Sequence, residues 1–110
     1  MSEILRGEVW WISLDPTQGS EIRKTRPCLV LTADVLNRHR ATVVVVPFST
    51  SAKAHPPITV PVFCQGKEVV AVIDQVRAVA KHRLKSKIED ASPEMIRAVS
   101  DALAKILEMT

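Results

Sequence analysis

The chain contains four consecutive valines at residues 43–46, and this run constrains the fold more than any other feature. Valine is β-branched, so it loses side-chain freedom in a helix and fits the pleated surface of a strand. The run is far shorter than the roughly 20 apolar residues that a membrane-spanning helix needs. It gives the clearest strand pattern in the chain. We therefore predict a central strand over residues 42–48, with Pro47 tolerated at its end. The run at residues 28–32 is also nearly continuous and implies that its strand is buried on both faces.

Shorter runs of the same kind predict further strands around this one. Glycine, proline and polar residues separate them, as expected for strands that are joined by turns. Pro61 lacks a backbone donor and marks its strand as an edge strand. A short helical turn is predicted over residues 33–38. The predicted strands cover residues 8–14, 28–32, 58–62 and 69–73, and residues 75–80 continue or follow the last of these after a kink at Asp74.

The spacing of the apolar residues changes near the C-terminus. Ser92 is suited to cap a helix, and Pro93 is suited to its first position. Apolar residues then recur at helical spacing to about Glu108, with charged residues on the other side. The chain is therefore predicted to be mainly β with α, as a single domain over residues 1–110. With five or six short strands, a small, partly closed β-barrel capped by the C-terminal amphipathic helix leaves few exposed edges.

The composition is that of a soluble globular domain, with 46% hydrophobic and 25% charged residues. No apolar run predicts a membrane span and no secretory signal region precedes the first strand, so a cytoplasmic protein is expected. Cys28 and Cys64 lie in apolar surroundings and are interpreted as reduced core residues. The three histidines lack the spacing of metal ligands, so neither a metal nor another cofactor is predicted.

The formal net charge of +3 is a mild excess, and the distribution of the basic residues is more informative. They form two groups, and the second contains no acidic residue. Each lysine or arginine is readily explained as solvated surface, but two groups converging on one groove would favour a polyanion. The first group is Arg23, Lys24, Arg26, Arg38 and Arg40, and the second is Arg77, Lys81, Arg83, Lys85 and Lys87.

Candidate groups for catalysis flank the predicted strands. Arg26 offers a planar fork of donors that suits a phosphate, and residues 49–51 place hydroxyls at the end of the central strand. Glu21 and Asp74 are carboxylates that bracket these segments. Together these groups suit a metal-free cleavage of RNA, in which the 2′-hydroxyl attacks the adjacent phosphate with help from a base, an acid and a cation.

Structural interpretations of the same residues stay open. Arg26 can form a surface ion pair with Glu21 instead of binding a phosphate. Ser49 and Thr50 can satisfy backbone groups where the strand ends. Asp74 can cap a turn. From the residue pattern alone, neither set of roles is excluded.

The adjacent Trp10 and Trp11 must point to opposite faces of the first strand. One ring is therefore predicted to lie in the core. The other is available as a stacking platform for a base or as an interface anchor.

Four segments of the chain resemble the MazF/PemK family of bacterial toxins. R-G-E-V-W-W-I-S-L-D-P-T-Q-G-S-E (residues 6–21) and T-R-P-C-L-V-L-T (residues 25–32) are similar to the N-terminal signature of the family. V-V-V-P-F-S-T-S (residues 44–51) is similar to its strand ending in Thr-Ser, and I-D-Q-V-R-A-V (residues 73–79) to its D-Q-x-R pattern. The resemblance covers nearly the whole chain.

The resemblance implies an SH3-like barrel, a homodimer and a toxin that is neutralised by a cognate antitoxin. It also implies a sequence-selective, metal-independent endoribonuclease that cleaves single-stranded mRNA. An extended acidic segment of the antitoxin is expected to cover the RNA groove.

The resemblance also implies roles for individual residues. Arg26 matches a catalytic arginine, and Ser49 and Thr50 match the Thr-Ser pair with the two residue types exchanged. The chain departs from the PemK-type pattern at Ser20 and Val72. The implied catalysis therefore depends more on Arg26 and on the hydroxyls. The implied catalytic residues are Arg26, Ser49, Thr50, Glu21 and Asp74, and the expected RNA-binding residues are Arg23, Lys24, Ser51, Gln75 and Arg77.

Two other functions remain alternatives at this point. A barrel of this kind can bind RNA or a protein without catalysis. It can also act as a gyrase poison, as the related CcdB toxins do. RNA cleavage products distinguish the first alternative from the nuclease, and inhibition of supercoiling with RNA left intact distinguishes the second.

Overall fold

The computed structural model describes residues 3–14 and 24–109. Seven strands and two α-helices make up these segments, with single 3₁₀ turns at Ile73–Gln75 and Lys81–Arg83. The strands are β1 (Glu8–Ser13), β2 (Thr25–Val30), β3 (Thr42–Ser49), β4 (Thr59–Cys64), β5 (Lys67–Val72), β6 (Arg77–Ala80) and β7 (Leu84–Asp90), and the helices are α1 (Asp34–His39) and α2 (Pro93–Ile106).

The valine-rich strand β3 is the centre of the sheet, as predicted. All strand pairs are antiparallel, and β3 pairs with β2, β5 and β6. The strands follow the order β4-β5-β3-β2-β1-β7, with β6 beside β3. The sheet is therefore open between β4 and β7, which gives a partly closed, barrel-like shape. The Gln65 amide N–H donates to Glu89 Oε2 across this opening at 3.1 Å.

Two hydrophobic clusters cover the two faces of the sheet. Leu29 and Val46 belong to the cluster that α2 covers through Val99 and Ala102. Cys28 and Val45 belong to the second cluster, on the opposite face. Neighbouring residues of β2 and of β3 therefore enter different clusters, which confirms the predicted burial of β2 on both faces and shows that β3 is buried in the same way.

Helix α2 begins as the sequence predicts. The Ser92 hydroxyl accepts a hydrogen bond from the Met95 amide at 3.1 Å, and Pro93 occupies the first turn. The helix ends at Ile106, two residues before the predicted end at Glu108. No helix in the described ranges is long and apolar enough to span a membrane.

Glycine is required at position 7, where the helix approaches the sheet. Gly7 has a φ of +90°, and a Cβ atom there would lie 2.6 Å from Ile96 Cδ1. Its amide donates to the Val30 carbonyl and its carbonyl accepts from the Ala91 amide, both at 2.8 Å. Through these two hydrogen bonds, Gly7 connects the segment before β1 to the last residue of β2 and to the segment that leads into α2.

The sequence prediction differs most from the structure at β7 and β2, whereas the bounds of β4 and β5 differ by one or two residues at each end. The described residues form seven strands rather than five or six, because residues 84–90 form β7 beside β1. Lys85, Ser86 and Lys87 in this strand are exposed and interrupt the apolar pattern that would have revealed it. Strand β2 begins at Thr25, so Arg26 belongs to a strand rather than to the preceding loop.

Candidate functional site

A cavity of about 360 Å³ lies where the ends of β2 and β3 meet the hairpin between β4 and β5. Its wall includes the cations Lys24, Arg26 and Lys67, and no acidic residue of the described ranges lines it. We call it the basic cavity. Trp11, Ser49, Thr50 and Gln65 also contribute to the wall. The arrangement combines positive charge, hydroxyl groups and an aromatic ring, which are the groups that bind a single-stranded nucleic acid.

The strand register explains why Arg26 and the hydroxyls come together. Arg26 lies opposite Ile12 of β1, and Cys28 lies opposite Pro47 of β3. Arg26 lies two residues before Cys28 and Ser49 lies two residues after Pro47, so the antiparallel pairing brings both residues to the same end of this strand pair. Residues that are distant in sequence are therefore fixed by the sheet rather than by a loop.

The Ser49 hydroxyl supports the turn that follows β3. Ser49 is buried, and its Oγ accepts hydrogen bonds from the amides of Ser51 at 3.2 Å and Ala52 at 3.1 Å. This geometry corresponds to the structural interpretation that the sequence left open. Thr50 is exposed and lines the basic cavity. Of the two hydroxyls, that of Thr50 is the more accessible to a ligand.

The two tryptophans occupy opposite faces of β1, as predicted. Trp10 is buried, and its Nε1–H donates to Glu8 Oε1 at 3.0 Å. Trp11 lies opposite Pro27 and forms part of the basic cavity. Trp10 is thus the core residue, and Trp11 is the residue that is available for stacking on a base.

Cys28 adjoins the basic residues but is not suited to act as a nucleophile. Burial raises the pKa of its thiol to about 12, although the positive charges of Arg77 and Arg26 act in the opposite direction. The thiol therefore stays protonated at neutral pH, and only the thiolate is a strong nucleophile. Arg26 and Arg77 each lie two residues before a member of the same hydrophobic cluster, Cys28 and Val79, so their side chains project from the same face of the sheet.

Several predicted site residues do not line the basic cavity. Asp74 and Gln75 lie in the 3₁₀ turn after β5, and Asp74 is exposed there. Ser51 lies in the turn after β3, and Arg77 is the first residue of β6, opposite Val45. The predicted residues Arg26, Ser49, Thr50 and Lys24 are brought together. The predicted residues Glu21 and Arg23 lie outside the ranges that the structure describes.

Gln65 and Lys67 are wall residues that the sequence did not indicate as part of a site. In the sequence, Gly66 and Lys67 follow one apolar run and precede another, which is typical only of a turn. The turn was recognisable, with Gln65 and Gly66 both at positive φ, but no local pattern places this hairpin beside Arg26. That placement follows from the pairing of Ser49 in β3 with Val70 in β5.

The second basic group does not converge on the basic cavity. None of its five residues lines the wall, and Lys87 forms ion pairs with Glu8 at 3.0 Å and Asp90 at 2.9 Å. The cations of the cavity instead come from the first group and from Lys67. Within the ranges that the structure describes, no three histidine, cysteine or carboxylate side chains are grouped to hold a metal ion.

Comparison with solved structures identifies the fold. MazF (Form-I) from Deinococcus radiodurans is 23% identical, with coverage of 99% of this chain and 100% of that one and a TM-score of 0.88. An endoribonuclease in complex with its cognate antitoxin from Mycobacterial species is 23% identical, covers 97% of each chain and gives a TM-score of 0.80. MazE-MazF (Form-II) from Deinococcus radiodurans is 20% identical over 100% of both chains, with a TM-score of 0.80.

The sequence itself matches a family model, and the match extends beyond the residues of the site. The model describes the PemK-like, MazF-like toxin of type II toxin–antitoxin systems, and it matches residues 5–107. This range runs from the segment before β1 to the end of α2 and includes every strand of the sheet. The chain therefore belongs to the PemK-like, MazF-like toxin family of type II toxin–antitoxin systems.

Proposed function

We propose that this toxin is an endoribonuclease that cleaves single-stranded mRNA at selected sequences. The observation that carries the proposal is the basic cavity, whose wall includes Arg26, Thr50, Lys24, Lys67 and Trp11. Phosphates are attracted by the cations, and an unpaired base can stack on the indole. Membership of the toxin family adds independent support.

Arg26 is proposed to bind the scissile phosphate and to stabilise its charge as the 2′-hydroxyl attacks. A guanidinium can contact two phosphate oxygens at once, and its charge does not depend on pH in the physiological range. The position of Arg26 within β2 limits the movement of its backbone. A preorganised cation gains more from the developing charge of the transition state than a mobile one does.

Thr50 is proposed to donate a hydrogen bond to a phosphate oxygen, whereas Ser49 positions the turn that presents Thr50. The reaction forms a bond from the 2′-oxygen to phosphorus and breaks the bond to the 5′-oxygen. The products are a 2′,3′-cyclic phosphate and a 5′-hydroxyl. One group must take the proton of the 2′-hydroxyl and one must protonate the leaving oxygen. Glu21 and Asp74 remain the proposed carboxylates for these transfers.

The proposed reaction uses no metal or other cofactor, in line with the family resemblance. The same resemblance supports a homodimer and a cytoplasmic toxin. A cognate antitoxin is proposed to inhibit it by laying an extended acidic segment over the basic cavity. Charge complementarity favours this contact, because Lys24, Arg26 and Lys67 are among the residues that line the cavity. One of the solved structures that share the fold is an endoribonuclease held by its cognate antitoxin.

The proposal is tested by incubating the purified protein with a long single-stranded RNA in EDTA and mapping the cut sites and end groups. Recurrent cuts within one short sequence, with 2′,3′-cyclic or 3′-phosphate and 5′-hydroxyl ends, are expected. RNA that is bound but left intact would instead identify a non-catalytic binding module. Inhibition of DNA supercoiling with the RNA intact would identify a gyrase poison of the CcdB type.

A further inference from the structure

The outer edge of β4 has backbone groups that face away from the sheet. Among the described strands, β4 has a neighbour on one side only, which is β5. At Thr59, both outer groups are occupied, because its amide donates to the His55 carbonyl at 3.1 Å and its carbonyl accepts from the His55 amide at 3.0 Å. Backbone groups alternate along an antiparallel strand, so the same groups of Pro61 and Phe63 also face outward.

The edge at Phe63 is suited to a short added strand. Pro61 contributes only a carbonyl, since proline has no amide hydrogen. Phe63 contributes both a donor and an acceptor. Unpaired backbone groups on an edge strand pair readily with an extended segment of another chain. The edge therefore favours a peptide in extended form over a helix.

A groove of about 430 Å³ lies beside this edge, between β4, the end of β7 and the first turns of α2. Its apolar surface includes Val62, Phe63 and Met95. Phe63 is 62% exposed and is one of the large hydrophobic residues that the fold leaves in contact with solvent. An apolar side chain of a bound segment would cover it.

Three carboxylates also line the groove, Glu89, Asp90 and Glu94, and no basic residue of the described ranges lines it. We call it the acidic groove. Glu89 accepts from the Gln65 amide and Asp90 pairs with Lys87. Glu94 is exposed in the first turn of α2, and none of the described residues forms a hydrogen bond or ion pair with it. The groove thus attracts cations and repels the phosphates of RNA.

We propose that the acidic groove binds an extended segment of a partner protein in which apolar residues alternate with lysine or arginine. The segment pairs with the outer edge of β4 at Phe63. One of its apolar side chains packs on Phe63 and Met95, and its cationic side chains face Glu94 and Asp90. This partner differs in charge from any ligand of the basic cavity, which requires an acidic or phosphate-bearing molecule.

The test uses a fluorescein-labelled heptapeptide of alternating lysine and valine, titrated with the full-length protein and followed by anisotropy. Saturable binding that weakens with added salt is expected, because the contacts include exposed charges. A matched peptide with glutamate in place of lysine should not bind. A lysine–valine peptide with alternate backbone amides N-methylated should bind weakly, because it cannot extend the sheet. Absence of binding at millimolar peptide would overturn the proposal.

Variants assign the binding to the groove. Phe63→Ala is expected to weaken binding on the order of tenfold, as for a central apolar anchor, and Glu94→Gln about threefold, as for a rim charge. Leu107→Ala and Asp101→Asn remove an exposed apolar and an exposed acidic side chain elsewhere on the C-terminal segment and should leave binding unchanged. Equal effects of all four substitutions would refute the groove as the site.

Sedimentation of the peptide-free protein separates a foreign partner from self-association. The wild-type protein and Phe63→Ala should have the same oligomeric state. A smaller species for Phe63→Ala would show that Phe63 contacts a second copy of the chain, which would overturn the proposed partner. Circular dichroism and the melting temperature confirm that each variant is folded.

Discussion

The basic cavity and the acidic groove both adjoin the β4–β5 hairpin, and the charged residues that line them have opposite signs. Lys24, Arg26 and Lys67 line the first, whereas Glu89, Asp90 and Glu94 line the second. The hydrogen bond from Gln65 to Glu89 connects the two walls. A formal net charge of only +3 therefore conceals two strongly different surfaces.

The difference shows that the positions of the charged residues are more informative about ligands than the net charge of the protein is. An RNA strand is attracted to the basic cavity and repelled from the acidic groove. A cationic peptide has the opposite preference. Two ligands of opposite charge are thus able to bind one small domain without competing for the same side chains, and substitutions on one side should leave the other side functional.

The largest expected effect comes from Arg26→Ala. We expect RNA cleavage to fall by roughly 10² to 10³-fold or more, because the cation that is proposed to stabilise the transition state is lost. Arg26→Lys should restore only part of the activity, since an ammonium does not reproduce the planar fork. Gel-based cleavage rates check this, with Arg97→Ala on α2 as the matched arginine control. Full activity of Arg26→Ala would remove the basic cavity from the mechanism.

Substitution of the two adjacent hydroxyl residues should distinguish an effect on the cleavage rate from an effect on the stability of the fold. Thr50→Ala is expected to lower the cleavage rate roughly 10- to 100-fold with an unchanged melting temperature, because its hydroxyl is exposed to the ligand. Ser49→Ala should lower the free energy of unfolding by about 1–2 kcal/mol, because two amides lose their acceptor. Cleavage assays and chemical denaturation check both effects. The reverse pattern would assign the phosphate contact to Ser49.

Charge reversal compares the two surfaces directly. Lys67→Glu should weaken RNA binding several-fold and reduce the slope of log affinity against log salt by about one, as for loss of one phosphate contact. Glu94→Lys should leave RNA binding nearly unchanged and weaken binding of the lysine–valine peptide. Anisotropy titrations at several salt concentrations measure both. A similar response of RNA binding to the two substitutions would contradict the separation of the surfaces.

Glu8 provides a contrast with the acids of the groove, because its carboxylate is buried and paired within the fold. Burial acts to raise its pKa, but hydrogen bonds from the Leu5 amide, Trp10 and Lys87 lower the pKa below the ordinary value of 4.5. A lowered folded-state pKa stabilises the protein above pH 4.5, and this contribution is lost as the pH falls through the folded-state value.

Glu8→Gln should therefore cost about 1–2 kcal/mol at neutral pH and make stability less dependent on pH below 4.5. Urea unfolding between neutral pH and pH 3 measures this, with the exposed Glu68→Gln as the control. A variant with the same acid sensitivity as the wild-type protein would show that Glu8 is not the group responsible.

The elements with strong local signals were predictable from the sequence. The valines of β3 specify a central strand, and Ser92 with Pro93 specifies the start of α2, because strand propensity and helix capping act over a few residues. Strand β7 was not predictable in the same way. Its exposed lysines obscure the alternation, and β1 stabilises it through pairing that no local pattern reveals.

The candidate site was only partly predictable for a related reason. Arg26 and the hydroxyls of β3 were recognisable by type and by family resemblance, but the roles of Ser49 and Thr50 depend on which hydroxyl the turn buries. Lys67 and Gln65 depend on the pairing of β3 with β5. Pairing between strands that are distant in sequence determines which loops lie next to each other. The sequence around each residue does not indicate this pairing.

The most direct test of the location of RNA is photo-crosslinking. A single-stranded RNA carries 4-thiouridine near the mapped cut site and a 2′-deoxy substitution at that site, so that it binds without being cleaved. Mass spectrometry after irradiation should find crosslinks in the wall of the basic cavity, at or beside Trp11, Thr50 and Lys67. Crosslinks concentrated at Phe63, Met95 or other residues of the acidic groove would contradict the division of the molecule into an RNA surface and a peptide surface.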